Sequence, residues 1–224
     1  VDNQGTIDVD HNTTINGGPL LTAMGTIDVA ADKVLTVSTT SMTVGSDTVL
    51  QGGGTINLAA TMALNLVSDF TITSTTPTLQ FGGTVTVNSG TGDTFVITAG
   101  GLQKISGDTI NTALAIQSGG ELRVDPGIST IGTAAGEFLQ AGLLQVVANS
   151  STGNATLNVS QGFTNDGTIR LDNVSNGGYT TTLMVSGSPL VNHSLIELVS
   201  TGGNSGGART LNAVLHNEGT LKVA

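Results

Sequence analysis

The residues of this chain that could do chemistry are few and far apart. Asp8 and Asp28 stand at the same place in two copies of a Gly-Thr-Ile-Asp-Val motif. If those copies lie side by side in a sheet, the carboxyls come within about 5 Å, the separation used by a retaining glycosidase. Later copies carry Asn57 and Thr86 at that place, and no Lys, Arg or His joins them. The plainer reading of the pair is an outward column of solvated side chains. Arg123 and Arg170 share the outward place of two further copies, with one copy between them. A polysaccharide lyase needs such a base beside acidic partners, and Lys33, Lys104, Arg209 and Lys222 add no cluster around it. His193 and His216 fall near one corner of consecutive repeats, where stacked imidazoles would offer a metal two ligands; His11 is remote. Ordinary surface corners account for them as well.

Three turns pair Gly with Asp-Thr: Gly45-Ser46-Asp47-Thr48, Gly92-Asp93-Thr94 and Gly107-Asp108-Thr109. Calcium-binding solenoids use a stricter Gly-Gly-x-Gly-x-Asp nonapeptide, which does not occur here. An Asp in such a turn ordinarily caps its own backbone. Phe95 and Phe163 fit inward positions, which leaves Tyr179, in a Gly-rich loop, as the exposed aromatic for a sugar to stack on. The six sequons, at Asn12, Asn149, Asn154, Asn158, Asn173 and Asn192, are common by chance in so Asn- and Thr-rich a chain. No catalytic, metal or cofactor residue is assigned from the sequence, and the chain is expected not to be an enzyme.

The elements that would position these residues are short strands. The motif starts at Gly5, Gly25, Gly54 and Gly83, weaker copies start at Gly120 and Gly142, and further copies start at Gly167, Ser194 and Gly219. The intervals are 20, 29, 29, 37, 22, 25, 27 and 25 residues. The interval of 37 residues suggests a degenerate copy around Ile105 to Ile110, or a longer loop. A second series includes Leu35-Thr36-Val37, Leu64-Asn65-Leu66, Phe95-Val96-Ile97, Leu157-Asn158-Val159 and Leu183-Met184-Val185. A third apolar place precedes the Gly, at Leu50, Leu79, Leu139, Phe163, Leu190 and Leu215. Period-two alternation puts Ile, Leu and Val on one face and Thr, Asp, Asn or Arg on the other. A strand so short cannot bury that face alone. If each repeat makes one coil, equivalent strands stack in parallel and their inward residues form aliphatic ladders. The expectation is an all-β parallel β-helix (β-solenoid) of about eight or nine coils, spanning residues 1–224 as a single segment. No window holds helical periodicity. The best, Thr133 to Gln145, reads as a turn and a strand.

Asn-x-Gly-Thr recurs at the corners, in Asn3-Gln4-Gly5, Asn165-Asp166-Gly167 and Asn217-Glu218-Gly219, with Asn192-His193-Ser194 as a variant. Asn and Gly tolerate the left-handed backbone of a tight corner. Stacked Asn side chains can bond from coil to coil. In mid-chain the corner becomes Gly52-Gly53-Gly54, which would interrupt such a ladder.

Composition agrees. There are 32 Gly, 10% charged residues, 3% aromatics and no Trp, which suits a thin aliphatic core better than a globular one. A net charge of −10, from 6 basic and 16 acidic residues, argues against nucleic acid and anionic membranes. No apolar run reaches the length that spans a bilayer, so no membrane insertion is expected. Without Cys the chain has no disulfide or thiolate metal site. Neither end carries a polar cap. The chain therefore reads as part of a longer array, or as a subunit that associates through its solenoid ends.

Repeated Asn-x-Gly-Thr-Ile-x-Val followed by Leu-x-Val resembles the repeat regions of large bacterial surface adhesins, the filamentous-haemagglutinin-like proteins and autotransporter passenger domains. The resemblance covers nearly the whole chain. It implies a right-handed β-helix, an extracellular or cell-surface location, and a role as a stalk, display or matrix element. A host surface or a polysaccharide would be the partner. The alternative from a different class is a β-helical polysaccharide lyase or hydrolase.

Overall fold

The computed structural model describes residues 1–18, 21–90, 92–132, 137–203 and 206–224. These form 30 short strands and no helix. Every third strand lies in the same sheet, so three strands make one coil. The first face stacks ten strands, from Asp2–Asn3 to Arg209–Asn212. The third face also stacks ten, from Thr13–Asn16 to Thr220–Val223. The second face comprises a sheet of three, from Thr6–Val9 to Val49–Gln51, and a sheet of seven, from Phe70–Ile72 to Leu215–Asn217. Neighbours run parallel in strict register, as in Leu122↔Leu144↔Ile169↔Ile196. The fold is a parallel β-solenoid of about nine turns. At about 4.8 Å per coil its ten rungs span about 43 Å.

Register makes the core. Leu122, Leu144, Ile169 and Ile196 all point inward and are fully buried, as are Val124, Val146 and Leu171 one pleat further on. Each such side chain gains about 1.5–3 kcal/mol from burial. Phe70 stacks on Phe95 at 6.1 Å, and Phe138 tilts onto Phe163 at 4.5 Å, so the inward placing of Phe95 and Phe163 holds.

The repeat does not stay on one face. Its first two copies lie in Thr6–Val9 and Thr26–Val29, on the second face. The third is Thr55–Leu58, on the third face; the fourth enters Val85–Ser89, on the first. The copies from Glu121–Val124 onward all lie on the third face. One turn is three strands and takes 20 to 27 residues here; the 29-residue intervals are four strands, and the 37-residue interval is five. That interval holds a degenerate copy near the expected place: Leu102–Ile105 follows Gly101 and pairs in register with the motif strand Glu121–Val124. Leu102–Ile105 and Thr109–Asn111 are ordinary strands of the third and first faces. All three faces require the same alternation, so the motif carries no mark of its face.

Part of the 133–145 window is also settled. Phe138–Gln140 and Leu143–Ala148 are strands, whereas residues 133–136 lie outside the described residues. Leu139 points outward and is 51% exposed, against the expected inward position, because Phe138 takes the core place beside Phe163. Gln140 turns inward with it and is 2% exposed. Its amide donates to the carbonyls of Gly142 and Thr168 and accepts from the Gly167 N–H.

Gln140 opens the amide ladder expected at the corners. Asn165, Asn192 and Asn217 follow it in register. Asn165 Nδ2 donates to Asn192 Oδ1 at 2.6 Å, and Asn192 Nδ2 donates to Asn217 Oδ1 at 2.6 Å. In earlier coils the same column holds Ile72, Ile97 and Ile116. Asn3 is not part of it; it lies on the first face and donates to the Thr26 carbonyl. At the Gly-rich corner Gly52 has φ +97°, and a Cβ there would run into the Val29 carbonyl.

The ladder account predicts a sharp contrast between two isoleucines. Ile169→Ala lowers stability by about 2–5 kcal/mol, whereas Ile128→Thr, at an exposed outward position, changes it by less than about 0.5 kcal/mol. Urea unfolding followed by circular dichroism measures both.

Candidate functional site

The outward side of the third face collects the positive charge. Its central column reads Thr36, Asn57, Gln80, Lys104, Arg123, Gln145, Arg170, Glu197 and Lys222, each in register with the next. Four of the six Lys and Arg of an acidic chain thus stand in one line. The motif alone aligns Arg123 with Arg170 but misses Lys104, because Leu102–Ile105 is not recognised as a copy. Counting three strands to each coil is the signal that aligns Lys104 with Arg123.

The two ends of the charged part of this column, from Lys104 to Lys222, differ. At the upper end Glu197 sits between two cations. Its Oε2 accepts from Arg170 Nη2 at 2.7 Å and Nε at 2.9 Å, and its Oε1 accepts from Lys222 at 3.0 Å. The Lys222 ammonium, and then the Arg170 guanidinium, hold this nearly buried carboxyl below the usual range. At the lower end Lys104 and Arg123 are direct rung neighbours with no carboxylate between them. Arg123 Nε donates to Asp125 at 2.7 Å, from one side.

This lower end is the floor of a groove of about 620 Å³. Gln80, Leu102, Lys104 and Arg123 come from three consecutive coils, and Asn149, Ser151 and Thr152 form a wall. The wall is a built turn. Asn149 and Gly153 exchange both backbone hydrogen bonds, at 2.9 and 3.1 Å. Asn149 Oδ1 accepts from the N–H and the hydroxyl of both Ser151 and Thr152, at 2.8–3.0 Å.

Close in sequence to the groove residue Ser106, Asp108 is fully buried at the corner between the third and first faces. Its carboxyl accepts from the Val85 and Ser106 N–H groups, each at 2.7 Å. This is the backbone-capping role expected of an Asp in a Gly turn. Burial nonetheless pushes its pKa up to about 6, and the two N–H donors only partly counter it.

The other sequence candidates are placed as follows. Asp8 and Asp28 are register partners on the second face, and Gln51, not Asn57, follows them and donates to Asp28 at 2.6 Å. Asn57 belongs to the third face and Thr86 to the first. Arg123 and Arg170 are separated by Gln145, as the repeat implied. His193 does not stack on His216. Its ring meets Asp166 at 2.9 Å and Glu218 at 3.5 Å, while His216 pairs in register with Val191. Tyr179 is half-buried against Gly177 rather than exposed. Among the described residues no group of three His, Cys, Asp or Glu is placed to hold a metal ion.

Comparison of the chain with protein-family models, with curated proteins and with solved structures finds no match.

The Asp108 carboxyl has a testable titration. Its folded pKa of about 6 lies above the 3.8 of an unperturbed Asp. The folded state therefore binds the extra proton between these values. The contribution to stability is favourable in acid and lost as pH rises through about 6. Carboxyl-carbon NMR will show a midpoint near 6 for Asp108, and Asp108→Asn will remove part of the fall in thermal midpoint between about pH 4 and 7.

Proposed function

We propose that the chain is a rigid spacer of an exported surface protein, an adhesive stalk or matrix element rather than a catalyst. The observation that carries this reading is the unbroken parallel register of the first and third faces through all ten rungs. A rod whose every coil is clamped to its neighbours holds whatever it carries at a fixed distance from its anchor. The resemblance of the motif to adhesin repeats supports export to the cell exterior and attachment to a host surface or a polysaccharide.

As part of this reading, copies of the chain associate through the solenoid ends.

The second reading, a polysaccharide-cleaving enzyme, draws on the third-face groove, where Asp125 and Arg123 stand together. Its Asp125 is engaged by Arg123 at 2.7 Å, which favours a charge fixed in place over a proton carrier.

Electron microscopy over a range of protein concentrations tests the proposal. Straight particles of constant width are expected at all concentrations, lengthening into unbranched filaments as copies join end to end. Rods that stay short throughout would remove self-association and leave the spacer. Bent or globular particles would contradict the spacer itself.

A further inference from the structure

The third-face column meets one electrostatic problem twice and solves it differently each time. Like charges on adjacent rungs repel. Between Arg170 and Lys222 the chain inserts its own carboxylate, Glu197. Between Lys104 and Arg123 there is no intervening rung to hold one. Lys104 forms no ion pair among the described residues. Arg123 reaches Asp125 through Nε alone, so its terminal nitrogens keep their donors. Two cations face one carboxylate in a groove of an otherwise acidic protein.

The rest of the lining narrows the ligand. Gln80 precedes Lys104 in the column, and its side-chain amide has no partner among the described residues. The hydroxyls of Ser151 and Thr152 spend their protons on Asn149, so their lone pairs remain to accept. Leu102 contributes an exposed apolar surface. Donors for a carboxylate, acceptors for hydroxyls and an apolar patch are what a sugar acid requires. A peptide is the weaker match. Extended peptides dock on free strand edges, and Thr78–Phe81, Leu102–Ile105 and Glu121–Val124 are each paired on both sides.

We infer that the groove between Gln80, Lys104, Arg123 and the 149–152 wall binds a carboxylated oligosaccharide, a short run of uronic-acid type, with one carboxylate between Lys104 and Arg123. The ligand lies along the solenoid axis, across the strands. From Gln80 to Arg123 is two rung intervals, about 10 Å, the length of about two sugar units. The inference does not rest on the spacer reading, since the groove is complete within one copy.

Calorimetric titration of the full chain with trigalacturonate tests it. Binding is expected to weaken with added salt. Lys104→Gln weakens it about tenfold, the loss of one charge-assisted hydrogen bond. The trimethyl ester binds weaker by a similar factor, and Arg170→Gln, in the same column but outside the groove, leaves affinity unchanged. Lys104 is exposed, and an unshifted melting curve will show that its variant keeps the fold. No binding up to about 10 mM trigalacturonate would overturn the inference. So would an unaltered affinity in Lys104→Gln, or equal binding of a triglutamate peptide, which would mean that the groove reads charge and not sugar.

Discussion

A strand of three to five residues has no stable existence alone, and everything in this molecule follows from how that problem is solved. Each strand satisfies its backbone through the strand one coil before it and the strand one coil after it. Parallel register then forces like onto like. An inward Ile sits on an inward Ile, and an outward polar residue sits on another. The core is accordingly a set of stacked columns rather than a layer between two sheets, and aliphatic residues fill it with only five Phe and no Trp. The same constraint governs what goes wrong. A polar residue on an inward column finds its partners within one rung or goes without: Gln140, Asn165 and Asn192 donate through their amides, while the Gln103 and Asn165 side-chain oxygens have no hydrogen bond. A charge on an outward column must tolerate its neighbour at the same spacing.

That second consequence turns a structural repeat into a surface with chemistry. Register stacks Lys104 on Arg123 and sets Glu197 between Arg170 and Lys222, although these residues lie 19 to 27 positions apart in sequence. The corner turns add relief on top of the column. A four-residue excursion after Asn149, held by its own Asn side chain, is enough to make a wall. The solenoid thus needs no separate domain to make a concave site. It needs only one elongated corner beside an outward column of suitable residues.

Much of this was legible in the sequence and some was not, for one reason. Period-two alternation, Gly and Asn at corners and the absence of helical windows gave the parallel solenoid and its number of turns. They also gave the late Asn ladder. They could not give the phase. A Gly-Thr-Ile-x-Val segment serves any of the three faces equally, so the true neighbours of Asp28, Lys104 and His193 became visible only once three strands were counted per coil. Leu139 shows the same limit at one residue. Leu139 and Gln140 differ by a single step of register, and a neighbouring coil, through Phe163, decides which faces the core. The raised carboxyl of Asp108 was hidden too, because its burial depends on the corner of another coil, at Val85.

The central claim is the rung-by-rung stacking itself, and a distance measures it. Thr14 and Gln145 occupy the same outward column of the third face, six rungs apart. The chain has no Cys, so Thr14→Cys and Gln145→Cys can each carry a single spin label without background. Double electron–electron resonance on the doubly labelled protein should give one narrow distribution near about 29 Å, six intervals of about 4.8 Å. A broad distribution, or a mean far from that value, would contradict the stacked register on which the whole account depends.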